Sequence, residues 1–314
     1  MKILITGGTG FLGRHLGSRL KTNHEVILTG RNNKQNQFAQ YMTKCDVVPM
    51  DISNIESVRD VFSYYKPELV IHAAATKFVD LSEKNPMECV DVNVTGSQNV
   101  ARVSIQTGVK QVLGISTDKA APPVRNIYGL SKAMMEKMFC LSNGKTDTQF
   151  ACVRYGNVVW STGSVFPIWE KMIQTENIIR TTGPNMFRFF FTVEDAVDLV
   201  ESAMNNFSFV NGKILSQQMR ASEMIKIIET WNKLTGSTWE KMESRPGERQ
   251  VEYLVGDAEL EYTEEITLNE KKYFLLHQNN KPENSIKEVI HSGNSSQLTE
   301  DEIVNLIRMK PIDA

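Results

Sequence analysis

Cysteine is scarce in this chain, and its few cysteines follow no ligand pattern. The four residues stand at positions 45, 89, 140 and 152 of 314, without a CxxC pair and without a neighbouring histidine cluster. This spacing argues against a zinc site or a disulfide framework, and it is typical of reduced, structural thiols. We therefore predict no metal site and a cytoplasmic location.

An excess of charge of one sign is also missing. Lys and Arg total 35 and Asp and Glu total 37, so the formal net charge is only -2. Such a balance argues against the basic surfaces that bind nucleic acid or anionic membranes. No apolar run approaches the roughly 20 residues that span a bilayer, and the N-terminal apolar stretch is too short for a signal peptide. We expect neither a nucleic-acid partner nor a membrane partner.

The first half of the chain does have a regular alternation of short apolar runs with amphipathic segments. Strands are predicted over 3–6, 25–29, 46–50, 69–74, 111–116 and 150–155, and helices over 11–21, 55–65, 87–108 and 128–140. This pattern predicts an α/β fold with a Rossmann-type, doubly wound parallel sheet, which binds ligands at the carboxyl ends of its strands. Beyond residue 160, shorter segments separated by Gly and Pro predict a smaller, mixed C-terminal substrate lobe.

A glycine-rich turn joins the first predicted strand to the first predicted helix. It reads Gly7-Gly8-Thr9-Gly10-Phe11-Leu12-Gly13. The first spaced glycine permits a tight turn, the second lets the backbone approach a pyrophosphate, and the third allows close helix packing, while the helix N-terminus stabilises the phosphate charge. The turn therefore predicts a bound dinucleotide, contacted by Gly7, Thr9, Gly10, Phe11, Leu12 and Gly13.

The end of the second predicted strand distinguishes NAD from NADP. An acidic residue at this point binds the ribose 2′-hydroxyl of NAD, whereas a cation accommodates the 2′-phosphate of NADP. The chain has Arg31 there, which favours NADP. We predict that Asp51-Ile52 lies over the adenine and that Ala73-Ala74-Ala75 forms a floor of small residues under the ribose and nicotinamide. The NADP-binding domain is predicted over 1–160, with part of 185–215 returning to it, and the substrate lobe over 161–314.

Two pairs of polar residues predict catalytic chemistry. Tyr128 and Lys132 lie four positions apart and share one face of a helix, where an ammonium group and a nicotinamide cation favour the phenolate that hydride transfer requires. Upstream, Asp118 and Lys119 follow Thr117 at the end of the fifth predicted strand. A carboxylate and an ammonium group at one site supply the acid and base that eliminate water. We predict all five residues to be catalytic.

Longer motifs connect these features. They are His72-Ala73-Ala74-Ala75-Thr76-Lys77, Asn85-Pro86-Met87-Glu88-Cys89, Asn93-Val94-Thr95-Gly96, Ser116-Thr117-Asp118-Lys119-Ala120, Tyr128-Gly129-Leu130-Ser131-Lys132, Val153-Arg154-Tyr155-Gly156-Asn157-Val158, Gly163-Ser164-Val165-Phe166-Pro167, Met186-Phe187-Arg188-Phe189 and Arg245-Pro246-Gly247-Glu248. Over about residues 3 to 250 the set resembles the UDP-N-acetylglucosamine 4,6-dehydratase/5-epimerases of pseudaminic acid and related deoxyamino-sugar pathways. These belong to the nucleotide-sugar branch of the extended short-chain dehydrogenase/reductases.

The resemblance implies a dehydration of UDP-N-acetylglucosamine with an internal redox cycle. Tyr128 would deprotonate the 4-hydroxyl as hydride passes to NADP, Lys119 would take the C5 proton, and Asp118 would protonate the departing 6-hydroxyl before hydride returns to C6. Reprotonation from the opposite face would invert C5. The resemblance further implies the cofactor contacts Asn93 and Tyr155 and the substrate contacts Lys77, Asn157, Ser164, Val165, Arg188, Arg245 and Glu248. Asn157 and Arg245 would hold the diphosphate, and a homo-oligomer, as a dimer or a multiple of dimers, is implied as well.

Three departures from the family pattern keep alternatives open. The stretch between Asp118 and Tyr128 is one residue longer, residues 254–279 match loosely, and Trp160 replaces the usual Gly, so that we expect a bulky ring beside the sugar pocket. Return of hydride to C4 would give a 5,6-ene sugar instead. A 4-epimerase would leave Asp118 and Lys119 without an elimination to perform, and a non-catalytic NADP sensor would typically lack the Tyr/Lys pair.

Overall fold

The structure is a computed structural model that describes residues 1–244, 246–268 and 270–313. Its strands are β1 (Lys2–Thr6), β2 (Glu25–Gly30), β3 (Asp46–Pro49), β4 (Leu69–His72), β5 (Gln111–Ile115), β6 (Gln149–Arg154), β7 (Asn157–Val158), β8 (Ile178–Thr181), β9 (Phe187–Phe191), β10 (Ile214–Gln217), β11 (Arg220–Glu223), β12 (Thr238–Lys241), β13 (Tyr253–Val255), β14 (Thr263–Leu268), β15 (Lys271–Leu276) and β16 (Ile290–His291). Its α-helices are α1 (Phe11–Leu20), α2 (Asn33–Thr43), α3 (Ile55–Tyr65), α4 (Val79–Lys84), α5 (Pro86–Val90), α6 (Gly96–Thr107), α7 (Ile127–Ser142), α8 (Val165–Glu176), α9 (Val193–Asn205), α10 (Phe207–Val210), α11 (Met224–Thr235) and α12 (Glu300–Arg308).

The main sheet confirms the predicted Rossmann-type fold. Its nine strands run in the order β14-β15-β10-β6-β5-β4-β1-β2-β3. The strands from β3 to β10 pair in parallel, and the hairpin β14-β15 adds an antiparallel edge. Helices cover both faces, so the central strands are buried and apolar, as in Ile3, Leu4 and Ile5 of β1. The strand order reverses between β1 and β4, which opens a crevice at their carboxyl ends.

The predicted helices of the first half are present, with α2 and α4 in addition. Residues 87–108 form α5 and α6 joined by one π-helical turn, Asp91–Thr95, rather than one regular helix. The polar sequence of α2 carries little hydrophobic periodicity, and its cap is Asn32, whose side chain accepts a hydrogen bond from the Gln35 amide. In the described part of the chain, no helix has both the length and the apolar character that crossing a bilayer requires. All four cysteines are buried free thiols.

The second half of the chain contributes to both parts of the molecule. Helix α9 packs against α1, and β10 extends the main sheet beside β6. The hairpin of residues 263–276, which the sequence placed in the second lobe, also lies in the main sheet. The smaller lobe contains the sheet β11-β9-β7, the pair β12-β8 and the helices α8, α11 and α12.

Trp160 lies in the core of this smaller lobe. Its indole is 2% exposed, packs edge-on against Phe166 and Trp231, and donates a hydrogen bond to the Leu306 carbonyl at 2.9 Å. The expectation of a bulky ring beside the sugar pocket is therefore wrong. The reason is the backbone: Trp160 has φ of 60°, the left-handed conformation that favours the glycine of the family pattern, and this turn directs the ring inward.

Candidate active site

The glycine turn forms a close-fitting cradle between β1 and α1. Gly7 has φ of 65°, and a Cβ there would lie 2.6 Å from the Ala74 Cα, so only glycine fits against the segment after β4. Gly10 is the cap residue of α1 and has no side chain that could bond the N–H groups at the start of the helix. These N–H groups are therefore available to bind a phosphate at the glycine-rich turn.

A buried chain of hydrogen bonds fixes the end of β4 beside this cradle. The Ser97 hydroxyl donates to the Asn93 carbonyl, so it accepts from His72 Nε2, and His72 Nδ1 accepts from the Thr6 hydroxyl at 2.7 Å. Burial and the nearby Lys132 charge lower the pKa of His72 to about 3. His72 is therefore a neutral structural residue at physiological pH.

Arg31 and Asp51 lie at the ends of the adjacent strands β2 and β3. Arg31 Nη1 is 4.0 Å from Asp51 Oδ2, and both side chains are largely exposed. Asp51 Oδ1 accepts hydrogen bonds from the backbone and the hydroxyl of Ser53, whereas Ile52 is buried. The exposed pair contributes little to stability, so the Arg31 guanidinium is available to an anionic ligand.

The remaining predicted cofactor residues follow β4 and β6. Ala73, Ala74 and Ala75 are half-buried, as a floor under a ligand would be. Asn93 uses its amide within the protein: it bonds the backbone of Thr76 in both directions and donates to the Ser131 hydroxyl at 2.9 Å. It therefore holds the segment after β4 against α7 instead of offering these atoms to a ligand. The Tyr155 carbonyl accepts from the Asp118 amide at 2.9 Å, which fixes the turn that carries the acid/base pair.

Asp118 and Lys119 form a buried ion pair in the 3₁₀ turn after β5. Lys119 Nζ donates to Asp118 Oδ1 at 2.9 Å and to Asn157 Oδ1 at 3.3 Å, and the Thr117 hydroxyl donates to the same Asp118 oxygen at 3.0 Å. The Asp118 side chain is fully buried, and that of Lys119 is 15% exposed. Asp118 Oδ2 has no hydrogen-bond partner among the described residues, and a Cβ on Gly156 would lie 3.0 Å from it. An unpaired carboxylate oxygen in this setting can bind a substrate hydroxyl.

Tyr128 and Lys132 extend from the first turns of α7. A Cβ on Gly129 would lie 2.2 Å from the Lys119 carbonyl, so this glycine lets α7 pack directly on the acid/base turn. Burial raises the pKa of Tyr128 to about 12, and the charge of Lys119 and a hydrogen bond with Thr117 act against that rise. Lys132 Nζ instead contacts Met135 Sδ at 3.1 Å, and burial lowers its pKa to about 8. In this arrangement the Lys119 charge favours the phenolate, and Lys132 Nζ lies against Met135.

The predicted substrate residues lie on several segments of the chain. Lys77 is exposed at the start of the segment that leads into α4. A Cβ on Gly163 would lie 2.2 Å from the Phe78 ring, so this segment meets the N-terminus of α8, where Ser164 is the cap and Val165 the first helical residue. The Arg188 guanidinium donates to the Phe187 carbonyl at 2.8 Å, and Glu248 accepts from the Thr182 hydroxyl at 2.7 Å. The remaining predicted contact, Arg245, lies outside the described residues.

Sequence reasoning missed two charged residues at this site, Arg249 and Glu252. Both are 3% exposed, and Glu252 Oε1 lies 3.7 Å from Lys119 Nζ. Glu252 Oε2 lies 3.6 Å from Arg249 Nη1. The available signal was their position within four residues of Glu248, the last residue of a predicted binding motif.

Comparisons with known proteins show what the chain is similar to. Residues 3–274 match the family described as polysaccharide biosynthesis protein. A UDP-N-acetylglucosamine 4,6-dehydratase (inverting) of Campylobacter jejuni is 38% identical over 225 residues, which cover 67% of this chain and 64% of that protein. A UDP-glucose 4-epimerase of Rickettsia felis is 31% identical over 330 residues, which cover 97% of this chain and 94% of that protein. The X-ray structure of Pen from Bacillus thuringiensis is similar with a TM-score of 0.89 and 28% identity, over 98% of this chain and 97% of that one.

These similarities differ in extent. The match to the Campylobacter dehydratase leaves more than a third of that protein uncovered, since it spans 64% of its length. The similarity to Pen runs through nearly the whole of both chains. The predicted resemblance to the nucleotide-sugar branch of the extended short-chain dehydrogenase/reductases is confirmed. With residues 3–274 matched, the chain belongs to the polysaccharide biosynthesis protein family.

Proposed function

We propose that this protein is an NADP-dependent dehydratase of UDP-N-acetylglucosamine. The observation that carries the proposal is the buried Asp118–Lys119 ion pair beside Tyr128. Oxidation of a sugar hydroxyl requires a base such as Tyr128. A second acid and base in the same crevice have a task only if a further bond breaks, as in the elimination of water.

The steps up to the loss of water use residues whose positions are given above, and the final proton at C5 would come from solvent. Tyr128, aided by Thr117, takes the proton of the 4-hydroxyl, and the resulting C4 ketone acidifies the proton at C5. Lys119 takes the C5 proton, and Asp118 gives a proton to the departing 6-hydroxyl. When bound, NADP would accept hydride from C4 and return it to C6. Reprotonation at C5 from the opposite face gives a 4-keto-6-deoxy product with inverted C5.

The cradle residues suit NADP. The turn from Gly7 to Gly13 and the open N-terminus of α1 would hold the pyrophosphate. Arg31 would bind the 2′-phosphate, since its exposed guanidinium stands where an NAD-specific site carries an acid. The domain of residues 1–160 would therefore bind NADP, and residues 161–314 would supply most contacts to the nucleotide sugar.

The choice of UDP-N-acetylglucosamine rests on the named activity of the 38% identical Campylobacter relative. The diphosphate would lie near Asn157, Arg245 and the N-terminus of α8, whose Ser164 hydroxyl is buried without a hydrogen-bond partner among the described residues. Lys77 and Arg188 would flank the sugar. We place the protein in the cytoplasm as a homo-oligomer, in a pathway to pseudaminic acid or a related deoxyamino sugar.

Two other activities of this fold are alternatives. The Rickettsia relative that covers 97% of this chain is named a UDP-glucose 4-epimerase. An epimerase needs Tyr128 but leaves the buried Asp118–Lys119 pair without a task. A 5,6-dehydratase uses the same acid and base and differs only in returning hydride to C4.

Incubation of the purified protein with NADP and UDP-N-acetylglucosamine, followed by NMR, distinguishes these activities. We expect loss of water and a new C6 methyl signal. Exocyclic methylene signals would identify the 5,6-ene product instead, which mass alone cannot distinguish because the two products are isomers. A product with inverted C4 and no loss of water would identify an epimerase. NADP binding without dehydration would contradict the proposal.

Variants of the ion pair test the assigned roles. We expect D118N and K119M to reduce the dehydration rate by roughly a hundredfold or more, because each removes one general acid/base group. Their affinity for NADP should equal that of the wild-type protein, since neither residue lies in the cradle. A parallel loss of NADP affinity would contradict the roles given to Asp118 and Lys119.

A further inference from the structure

A second buried carboxylate faces the catalytic ion pair. Glu252 Oε1 lies 3.7 Å from Lys119 Nζ, and the Glu252 side chain is only 4% exposed. Its backbone is fixed as well: the Glu252 amide donates to the Ser292 hydroxyl at 3.0 Å, and the Ser292 amide donates to the Glu252 carbonyl at 2.9 Å. Glu252 is therefore a preorganised charge next to Lys119.

Glu252 belongs to a cluster of buried charged groups. The charged and polar groups that face Lys119 or Glu252 are Asp118, Asn157, Arg249, Arg188 and the phenol of Tyr128. Glu252 Oε2 makes no hydrogen bond to a described residue and is 3.6 Å from Arg249 Nη1. A salt bridge formed only for stability would normally pair these oxygens and guanidinium protons at closer range. Glu252 is therefore not locked to Arg249, and its Oε1 remains directed at Lys119.

We propose that Glu252 is a positioning residue for the elimination, which orients Lys119 toward the substrate and stabilises the ammonium group that forms when Lys119 takes the C5 proton. The inference rests on the proposed dehydratase function and assigns a role to a residue outside the Asp118–Lys119 pair. Arg249, 3.6 Å from the carboxylate, would keep Glu252 ionised.

The elimination is balanced in protons when Asp118, Lys119 and Glu252 together hold one shared proton. At rest this proton is on Lys119, and the carboxylates of Asp118 and Glu252 are ionised. Before elimination it moves along the 2.9 Å hydrogen bond to Asp118, which leaves a neutral amine on Lys119. The amine takes the C5 proton, the C5–H electrons form the C5–C6 double bond, and the C6–O bond breaks as Asp118 protonates the leaving hydroxyl. Water departs, and the cluster returns to its resting charge.

The electrostatics of the site hold the resting proton on Lys119. Burial by itself lowers the pKa of Lys119, but the charges of Asp118 and Glu252 outweigh it and hold the pKa above its ordinary value. Burial raises the pKa of Glu252, and the charge of Lys119 opposes that rise. Removal of the Glu252 charge should therefore lower the pKa of Lys119, so that the cluster loses its one proton at a lower pH.

The test compares wild-type protein with E252Q, which keeps the shape of the side chain and removes its charge. We expect kcat for dehydration to fall about ten- to a hundredfold with little change in KM. The alkaline limb of the kcat profile should shift to lower pH by about one unit, as expected for loss of an opposite charge within 4 Å. Reduced dinucleotide should accumulate, seen by its near-ultraviolet absorbance, because oxidation at C4 proceeds and elimination lags.

Two further variants keep the test decisive. E264Q is the control. Glu264 lies in β14 and pairs with His277 instead of Lys119, so this variant should retain the wild-type kcat and pH profile. E252D keeps the charge, so its alkaline limb should remain at the wild-type pH while kcat recovers only in part. An unshifted alkaline limb in E252Q overturns the inference. If E252Q fails to fold, a wild-type kcat in E252D overturns it.

The same experiment separates the inference from the function on which it rests. Absence of dehydration by the wild-type protein would contradict the proposed function. Wild-type dehydration together with an unaffected E252Q would overturn the role of Glu252 alone.

Discussion

A single exposed side chain, Arg31, carries the proposed choice of dinucleotide. It follows β2 directly and pairs only weakly with Asp51, at 4.0 Å. A guanidinium that binds a 2′-phosphate makes charge-assisted hydrogen bonds, each worth about 1.5–3 kcal/mol. We therefore expect R31A to weaken NADP binding by roughly ten- to a hundredfold and to leave NAD binding nearly unchanged, as measured by calorimetry.

A matched control for R31A is R59A, on α3. Arg59 is also exposed and pairs with a neighbouring carboxylate, Glu56, but it lies on a helix away from the cradle. R59A should leave both affinities unchanged. An equal loss of NAD and NADP affinity in R31A would show that Arg31 supports the cradle in general and does not recognise the 2′-phosphate.

Sequence could predict where the candidate site residues that follow a strand end are placed in the fold. The glycine turn, Arg31, Asp118-Lys119 and the pair on α7 all stand at fixed distances from a predicted strand end. The direction in which a side chain points could not be predicted from the sequence. The ring of Trp160 turns inward because of one backbone angle, and Lys132 turns to Met135 because of local packing. Glu252 meets Lys119 only through the tertiary fold, across more than a hundred intervening residues, as the contact at 3.7 Å shows.

At the scale of secondary-structure elements, one buried arginine joins three segments. Arg154, at the end of β6, makes paired hydrogen bonds of 2.7 to 2.9 Å to Glu136 of α7 and of 2.8 Å to Glu259. It also donates to the Leu254 carbonyl at 2.9 Å. Helix α7 carries Tyr128 and Lys132, so this clamp holds the catalytic helix against the end of the sheet.

Loss of the clamp should destabilise the protein strongly. R154M leaves the Glu136 carboxylate buried and unpaired, and removal of one partner from a buried ion pair costs about 3–5 kcal/mol. We expect the midpoint of urea unfolding to fall accordingly, with an unchanged slope. R180M is the control, because Arg180 pairs with Glu176 and Glu240 at the surface, where such pairs are worth about 1 kcal/mol or less. Equal midpoints for the two variants would contradict the clamp.

The elements themselves were predictable where hydrophobic periodicity is strong. The central strands and α1, α3 and α7 bury continuous apolar faces, and the sequence places each of them within a few residues. Helix α2 is mostly polar and is stabilised by its cap and by packing on β3, which periodicity does not show. Strand β14 alternates like an ordinary surface strand, and only the pairing of β15 with β10 places the hairpin in the main sheet.

On the surface of the whole molecule, exposed apolar side chains cluster on α5 and α7. The helices pack together, and Met87, Val90, Leu130 and Met134 are 78%, 42%, 52% and 52% exposed there. Large apolar side chains clustered on adjacent helices mark an interaction surface. We therefore propose that, in the proposed homo-oligomer, two copies pair through the faces of α5–α6 and α7.

We expect wild-type protein at micromolar concentration to have the mass of a dimer, or of a multiple of dimers, by light scattering. The double variant L130K/M134K should be monomeric, because two ammonium groups per copy would have to be buried against apolar side chains and against their symmetry mates. F209K is the control: Phe209 is 42% exposed on α10, so this change adds a similar charge at an apolar position away from the surface. Its mass should remain that of the wild type. A monomeric wild-type protein, or a dimeric L130K/M134K, would exclude this surface as the interface, and a loss of dimers in F209K would move the interface toward α10.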